Sequence, residues 1–335
     1  MTRLLATARR TARLALARAT GRRLPFSMTF ILTHRCNFRC DYCDIPDAAG
    51  DEMTAAEFCR AIDELAEVGL ARASFSGGEA LLRADAIDII RHAHARGLVT
   101  SLNSNAWLAG EHMGALADVL DMLVVSLDGP EPVHDLVRRR TGSYARVLHT
   151  IDAARAHGLT VATITVISHA NLHVVDDVLA LARQHRFWAY FQPAYRDCFT
   201  HARGLDAALG APVLAALAAQ LERARAAGLP VGASPGYLER LARGPRFGDC
   251  STCNAGRYFG TVMPDGTLVP CHLTSGDHAY PNGRRLGFAR AFAELPRPAA
   301  GPGCAISPYQ ETDLIFALDR GAVTQALRRL AGPPA

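Results

Sequence analysis

Eight consecutive residues, Cys36-Asn-Phe-Arg-Cys40-Asp-Tyr-Cys43, constrain this chain more than any other stretch. They follow an apolar run, Met28-Thr-Phe-Ile-Leu-Thr33, which reads as a strand and places the three thiols on the loop after it. Four-iron four-sulfur clusters are held by cysteine thiolates, and four such ligands saturate all four irons. Three local ligands leave one iron open, and an open iron can coordinate a substrate or a cofactor. The competing readings of the same spacing are a structural zinc knuckle and three chance cysteines. Structural zinc usually closes with four ligands, often in Cys-x-x-Cys pairs.

At 335 residues and 49% apolar content, the chain can bury one large domain and a smaller one. It has no uninterrupted apolar stretch of about 18 residues and no secretory signal pattern. Its nine cysteines fall into metal-ligand groupings that need reducing conditions, so a cytoplasmic location is expected. The first 23 residues carry seven arginines and no acid, which leaves the rest of the chain net negative. That balance argues against a nucleic-acid partner. Residues 1–23 read as a basic amphipathic helix. Such a helix can lie on an anionic membrane surface or an acidic partner, or simply cap the domain as a solvated helix, the reading preferred here. All 36 basic residues are arginines, which excludes lysine Schiff-base chemistry.

From Pro25 to about Pro193 short β-branched runs alternate with helical patterns, as in βα units of a parallel sheet. Six strands are predicted: Met28–Thr33, Ala73–Ser76, Val99–Leu102, Met122–Leu127, Val161–Val166 and Trp188–Gln192. A helix over Thr54–Val68 opens with a Thr54/Glu57 capping-box pattern and stops before Gly69. The expected fold class is α/β, a partial (β/α)6 TIM barrel with a small C-terminal cysteine-rich α+β domain. In barrels the chemistry sits on loops after the carboxyl ends of the strands. The expected division is an N-terminal helix at 1–25, the barrel at 26–205, a helical connection at 206–245, the cysteine-rich domain at 246–310, and a C-terminal helix and tail at 311–335. Within these, an alanine-rich helix is expected over 211–227 and one amphipathic helix over Thr312–Leu330.

Further motifs fall on those loops. Ser76-Gly77-Gly78-Glu79 follows the second strand, where two glycines permit close backbone approach and a carboxylate can accept from an ammonium group. Asn103-Ser104-Asn105-Ala106 follows the third. Ser126-Leu127-Asp128-Gly129 ends the fourth, and His134-Asp135-Leu136-Val137-Arg138 comes next. The cysteine spacing, with Tyr42 just before the third thiol, resembles the signature of radical S-adenosylmethionine enzymes. By that resemblance Cys36, Cys40 and Cys43 hold a 4Fe-4S cluster whose open iron binds S-adenosyl-L-methionine. Gly77, Gly78 and Glu79 look like the family's Gly-Gly-Glu motif, which holds the cofactor's amino group. Asn105 stands in a departed version of its Thr-Asn-Gly turn, and an Asx-turn explains it equally well. Ser126 and Arg138 are expected to contact the cofactor's carboxylate and ribose. Asp128 is expected to pin the turn, and His134/Asp135 to start a helix, with substrate contact as the alternative.

Beyond residue 246, Cys250-Ser-Thr-Cys253-Asn-Ala-Gly and an Asp265-Gly266 hairpin ending in Pro270-Cys271 resemble the auxiliary-cluster domains called SPASM or twitch. Cys250, Cys253, Cys271 and Cys304 are the expected ligands of a second 4Fe-4S cluster, with tetrahedral zinc as the alternative. Cys59 is expected to be a small packed thiol in its helix. Cys198 sits in the loop Pro193-Ala-Tyr195-Arg196-Asp197-Cys198, with His201 beyond it. There it is a candidate hydrogen-atom donor, or a loop cysteine with no role.

The resemblance implies an enzyme that cleaves S-adenosylmethionine reductively to a 5′-deoxyadenosyl radical and abstracts a substrate hydrogen, with flavodoxin or ferredoxin as electron donor. Natural-product or peptide modification by oxidation, crosslinking or epimerisation is the expected outcome. Tailoring of a sugar, nucleoside or lipid is the alternative, and a non-enzymatic iron–sulfur or zinc scaffold is the remaining one. An N-terminal leader-binding domain is not expected, since 25 residues are too few to form one.

Overall fold

The computed structural model describes residues 12–47, 50–194, 209–244, 250–271, 279–298, 304–330 and 332. All six predicted strands form: β1 Ser27–Ile31, β2 Arg72–Ser76, β3 Val99–Ser104, β4 Met122–Ser126, β5 Thr160–Ile167 and β6 Trp188–Pro193. Each pairs in parallel with the next, in chain order, and the sheet does not close on itself. Period-two alternation explains the layering. Met28 and Phe30 on β1, Ala73 and Phe75 on β2, and Leu123 on β4 pack into the main core. Their neighbours Thr29, Ser74, Ser76 and Ser126 line an interior cavity.

The helix Ala55–Val68 forms as its sequence dictates. Thr54 and Glu57 complete the capping box, Phe58, Ile62 and Leu65 face the core, and Gly69 ends the helix at a φ of 127°. Cys59 departs from expectation: it is only half-buried, beside that core-facing stripe.

The cysteine-rich segment contributes a hairpin, β7 Phe259–Val262 and β8 Leu268–Val269, turning through Gly266 at a φ of 85°. Its sheet partner was not legible in the sequence. β7 pairs in parallel with β1, Ser27 opposite Phe259 and Phe30 opposite Val262, so the sheet runs β6-β5-β4-β3-β2-β1-β7-β8. The C-terminal hairpin thereby extends the barrel wall. Helices Gly283–Leu286 and Phe288–Glu294 follow in a stretch that reads as poor in helical periodicity. Another, Pro235–Ala242, lies in the segment expected as a helical connection, with Ser234 accepting from the Tyr237 amide and Pro235 at the first position.

The C-terminal region is two helices rather than the single one expected, Ser307–Phe316 and Arg320–Leu330. Leu318 sits at a φ of 62°, and Asp319 accepts from the Ala322 amide to start the second. Both line the cavity, through Thr312 and Ile315 and through Val323 and Leu327. At the other end of the chain, residues 12–19 are helical. Leu14 and Ala17 pack with Leu24, Tyr258, Phe259 and Phe316, while Leu16 is exposed. Among the described residues no helix is long and apolar enough to cross a membrane.

Candidate active site

Cys36, Cys40 and Cys43 all line one cavity of about 700 Å³ that reaches the carboxyl ends of the strands. Their loop is braced from outside the barrel. Phe38 is buried edge-on against Trp107 at 5.8 Å, and Arg140 covers the Trp107 ring at 4.2 Å. The Asp41 amide donates to the Val137 carbonyl at 3.0 Å, tying the loop to the helix Glu131–Arg138.

The two glycines of the second motif serve the cysteine loop directly. Gly78 N–H donates to the Thr33 carbonyl and Glu79 N–H to the Arg35 carbonyl, both at 2.8 Å. A Cβ on Gly77 would lie 2.5 Å from the Thr33 oxygen, and one on Gly78 2.4 Å from the Arg35 oxygen. Only glycine lets these backbones meet. Glu79 is fully buried, and burial raises its carboxyl pKa. It accepts from the Asn105 amide at 2.8 Å, the Leu81 amide at 3.2 Å and the Ser104 hydroxyl at 3.0 Å. In this arrangement the carboxylate ties the second loop to the third.

Asn105 makes an Asx-turn and also faces the cysteine loop. Its Oδ1 accepts from the Trp107 amide at 3.0 Å, which is an Asx-turn. Its Nδ2 donates to Asn37 Oδ1 at 2.7 Å and lies 3.9 Å from Cys36 Sγ. Ala106 keeps a left-handed φ of 66°, the conformation glycine adopts without strain. Ser104, passed over in the sequence, lines the cavity and joins Glu79 to the Ala106 amide.

Asp128 is the hub of the site. Fully buried, it accepts from the Tyr42 hydroxyl at 3.0 Å, Arg138 Nε at 2.6 Å and the Val166 amide at 2.9 Å. Arg138 Nη1 lies 3.7 Å from Cys40 Sγ, and its guanidinium stands 5.5 Å from the Tyr42 ring centre. Burial opposes the Arg138 charge, but Asp128, Tyr42 and Cys40 together outweigh it and hold the guanidinium well above its ordinary pKa. Burial pushes the Cys36 and Cys40 thiols up, and Arg138 works against that rise. Ser126 and Arg138 both face the cavity.

His134 and Asp135 do not line the cavity. His134 Nδ1 accepts from the Asp128 amide at 3.1 Å, and burial lowers its pKa to about 4, so the ring is neutral near pH 7. Asp135 accepts from the Ser143 hydroxyl and the Tyr144 amide, both at 2.8 Å, where the helix Ser143–Ala156 begins.

In the second cysteine set, burial pushes the Cys253 thiol far up. Asp313, Cys304 and Cys271 add to the rise, which places those two thiols within electrostatic reach of it. The Cys253 amide donates to the Cys250 carbonyl at 3.1 Å. Cys304 Sγ accepts from Gln310 Nε2 at 3.4 Å. Asp313 braces this set by accepting from the Asn254 amide at 2.9 Å and from Arg240 at 2.9 Å. Among the described residues no group of three His, Cys, Asp or Glu side chains converges on a single-ion site. Cys198 and its neighbours Tyr195, Arg196, Asp197 and His201 lie outside the described residues.

The sequence profile of the Radical SAM superfamily matches residues 30–182, the span that carries the three thiols, the glycine pair, Asp128 and Arg138. Those residues, a little under half of the chain, are a radical S-adenosylmethionine domain. That family uses a 4Fe-4S cluster together with S-adenosylmethionine. Among curated proteins, the PqqA peptide cyclase of Rhodopseudomonas palustris is 34% identical over 165 residues, 48% of this chain and 44% of its own. The PqqA peptide cyclase of Xanthomonas axonopodis pv. citri is 28% identical over 261 residues, 74% of this chain and 68% of its own. The chain thus spans less than half the length of the first of these relatives. Among solved structures, Streptococcus suis SuiB bound to S-adenosylmethionine superposes with a TM-score of 0.67 at 13% identity, covering 86% of this chain and 68% of SuiB. A second SuiB structure holds the precursor peptide SuiA. At that identity the likeness is one of fold: a mostly parallel, unclosed barrel sheet surrounded by helices.

Proposed function

We propose that this radical S-adenosylmethionine enzyme modifies a peptide and carries an auxiliary iron–sulfur cluster in its C-terminal module. One observation supports the catalytic part above the others. The Asp128–Arg138–Tyr42 knot brings three separated motifs to one thiol set in the wall of one cavity. A scaffold that only holds a metal needs no cavity beside it. The donor set fits a cluster with an open iron: three thiols on one loop, beside a guanidinium that favours the thiolate of Cys40. When bound, the cluster and S-adenosylmethionine supply a 5′-deoxyadenosyl radical that removes a hydrogen atom from substrate.

The chain's own residues do the rest. Cys36, Cys40 and Cys43 hold the cluster. Arg138 keeps one face toward the cavity while Asp128 fixes its Nε, so a carboxylate meets a preset fork. Ser126 offers a hydroxyl at the end of β4. Gly77 and Gly78 keep the cavity wall at backbone level, and Asn105 fixes the loop that faces them. Glu79 acts as a brace between the second and third loops. In the C-terminal module Cys250, Cys253, Cys271 and Cys304 close the auxiliary cluster with four thiolates. A tetrahedral zinc would draw sulfurs to roughly 3.8 Å of each other, from Zn–S bonds of about 2.3 Å. The thiols here do not converge on such a point. The peptide substrate is inferred from the relatives named PqqA peptide cyclase and from SuiB with its precursor peptide.

Anaerobic reconstitution with iron, sulfide, S-adenosylmethionine and dithionite tests this reading. The expected result is 5′-deoxyadenosine, with about eight irons per chain for two four-iron clusters. No 5′-deoxyadenosine from fully loaded protein overturns the catalytic part, and about four irons overturns the second cluster.

A further inference from the structure

The cavity does not end at the cluster loop. It runs down to the amino ends of the strands, where Arg72 begins β2, Val99 begins β3 and Met122 begins β4. The helix Arg320–Leu330 lies against this floor and contributes Leu327 and Arg329. Two guanidiniums therefore face the amino end of the cavity, and the described residues supply one carboxylate for them. Arg329 donates from Nη2 to Glu311 Oε2 at 3.2 Å, and Glu311 Oε1 accepts from the Ser234 amide at 2.7 Å. Among the described residues Arg72 has no acidic partner, and its hydrogen bond is a long one, 3.5 Å, to Ser101 Oγ. Burial and the like charge of Arg329 both press its pKa down.

A half-buried charge beside a like charge is unfavourable without an opposite one. The wall beside it repeats the pattern. Tyr190 stands beneath the Arg329 guanidinium, 5.5 Å from ring centre to Cζ, and its buried hydroxyl has Arg329 as its neighbouring donor but makes no hydrogen bond of good geometry. Gln192 Oε1, two residues along the same face of β6, and Ser307 Oγ are buried, unpartnered and lining the cavity. Unsatisfied buried polar groups that share one cavity with an uncompensated guanidinium are the groups a polar ligand would satisfy.

We infer that the floor of the barrel is a carboxylate-binding subsite in which Arg72, assisted by the Tyr190 hydroxyl and Arg329, anchors an acidic group of the substrate while the rest of it extends toward the cluster loop. This rests on the reading that the cavity takes substrate. A guanidinium grips a carboxylate through two parallel N–H donors, which fixes direction as well as position. On a peptide the carboxylate is either an acidic side chain or the chain end.

Isothermal titration of the reconstituted, S-adenosylmethionine-bound enzyme separates these sources with three probes of one skeleton. N-acetylglutamate α-amide carries its carboxylate on the side chain, N-acetylglutamine carries it at the chain end, and N-acetylglutamine amide carries none. At least one charged probe is expected to bind about ten- to a hundredfold tighter than the neutral one, and the tighter of the two names the source. Arg72→Met is expected to abolish that preference and to raise the melting temperature, because it removes a partnerless charge. Arg72→Lys is expected to restore only part of the preference, since an ammonium lacks the fork. Equal binding of all three probes, a preference that survives Arg72→Met, or a lower melting temperature in Arg72→Met overturns the inference. The titration reads neither cofactor cleavage nor peptide conversion, so its failure is distinct from failure of the proposed function.

Discussion

The molecule carries two cysteine sets built in opposite ways. The first occupies eight consecutive residues on one loop, and the fold braces it from three sides: Gly77 and Gly78 beneath, Asn105 beside Cys36, and Arg138 against Cys40. The second spreads from Cys250 to Cys304 and depends on a hairpin and a helix start to gather it. Its brace, the Arg240–Asp313 pair, lies closer to solvent, with a quarter of the Arg240 side chain exposed at 26%. The contrast teaches that a local set is positioned by its loop and tuned by buried charges, whereas a distributed set stands or falls with the packing of its module.

The largest expected effect comes from the first set. Replacing any one of Cys36, Cys40 or Cys43 with alanine is expected to reduce 5′-deoxyadenosine to background, read by chromatography after anaerobic reduction. Product at the wild-type rate would show that the loop is not the site of cleavage. The braces sharpen the comparison. Asp128→Ala leaves a buried guanidinium and a half-buried tyrosine hydroxyl without their acceptor, an expected loss of about 3–5 kcal/mol in urea unfolding. Asp313→Ala at the more exposed pair is expected to lose about 1–2 kcal/mol. Equal losses would erase the distinction between the two regions.

Acid should distinguish the regions as well. Folded His134 takes up a proton only near pH 4, against an ordinary value of 6.5. Between those values the unfolded chain binds more protons than the folded one, so stability is lost as pH falls from about 6.5 toward 4. The full loss is about 3 kcal/mol from this group, and His134→Gln is expected to flatten the slope in that window. A slope unchanged by the substitution would place the acid sensitivity elsewhere. The smallest effect is expected at Ala106, where glycine should relieve the left-handed strain by about 1 kcal/mol, read as a higher urea midpoint.

Much of this was readable beforehand because the signals were local. Strand alternation, the Thr54 capping box and the Asp265-Gly266 hairpin all act within a few residues, and each formed as expected. The pairing of β7 with β1 joins segments at opposite ends of the chain, and no local pattern announces a parallel partner. The break at Leu318 was hidden because residues 312–330 keep a helical texture across it, and the only clue was Asp319, a capping residue. Asp128 was read as a turn pin, but its role as acceptor for Tyr42 and Arg138 needed three loops in place. Arg72 was missed for the same reason. An arginine at the start of a strand reads as a solvated flank until the fold turns that end of the strand into a cavity floor.

The central claim is that the two cysteine sets hold separate clusters and that only the first cleaves S-adenosylmethionine. Iron counting and 5′-deoxyadenosine assay on one preparation of the Cys36→Ala/Cys40→Ala/Cys43→Ala variant test it directly. The account predicts about four irons per chain and no 5′-deoxyadenosine. Protein that binds no iron, or that still yields 5′-deoxyadenosine, would contradict it.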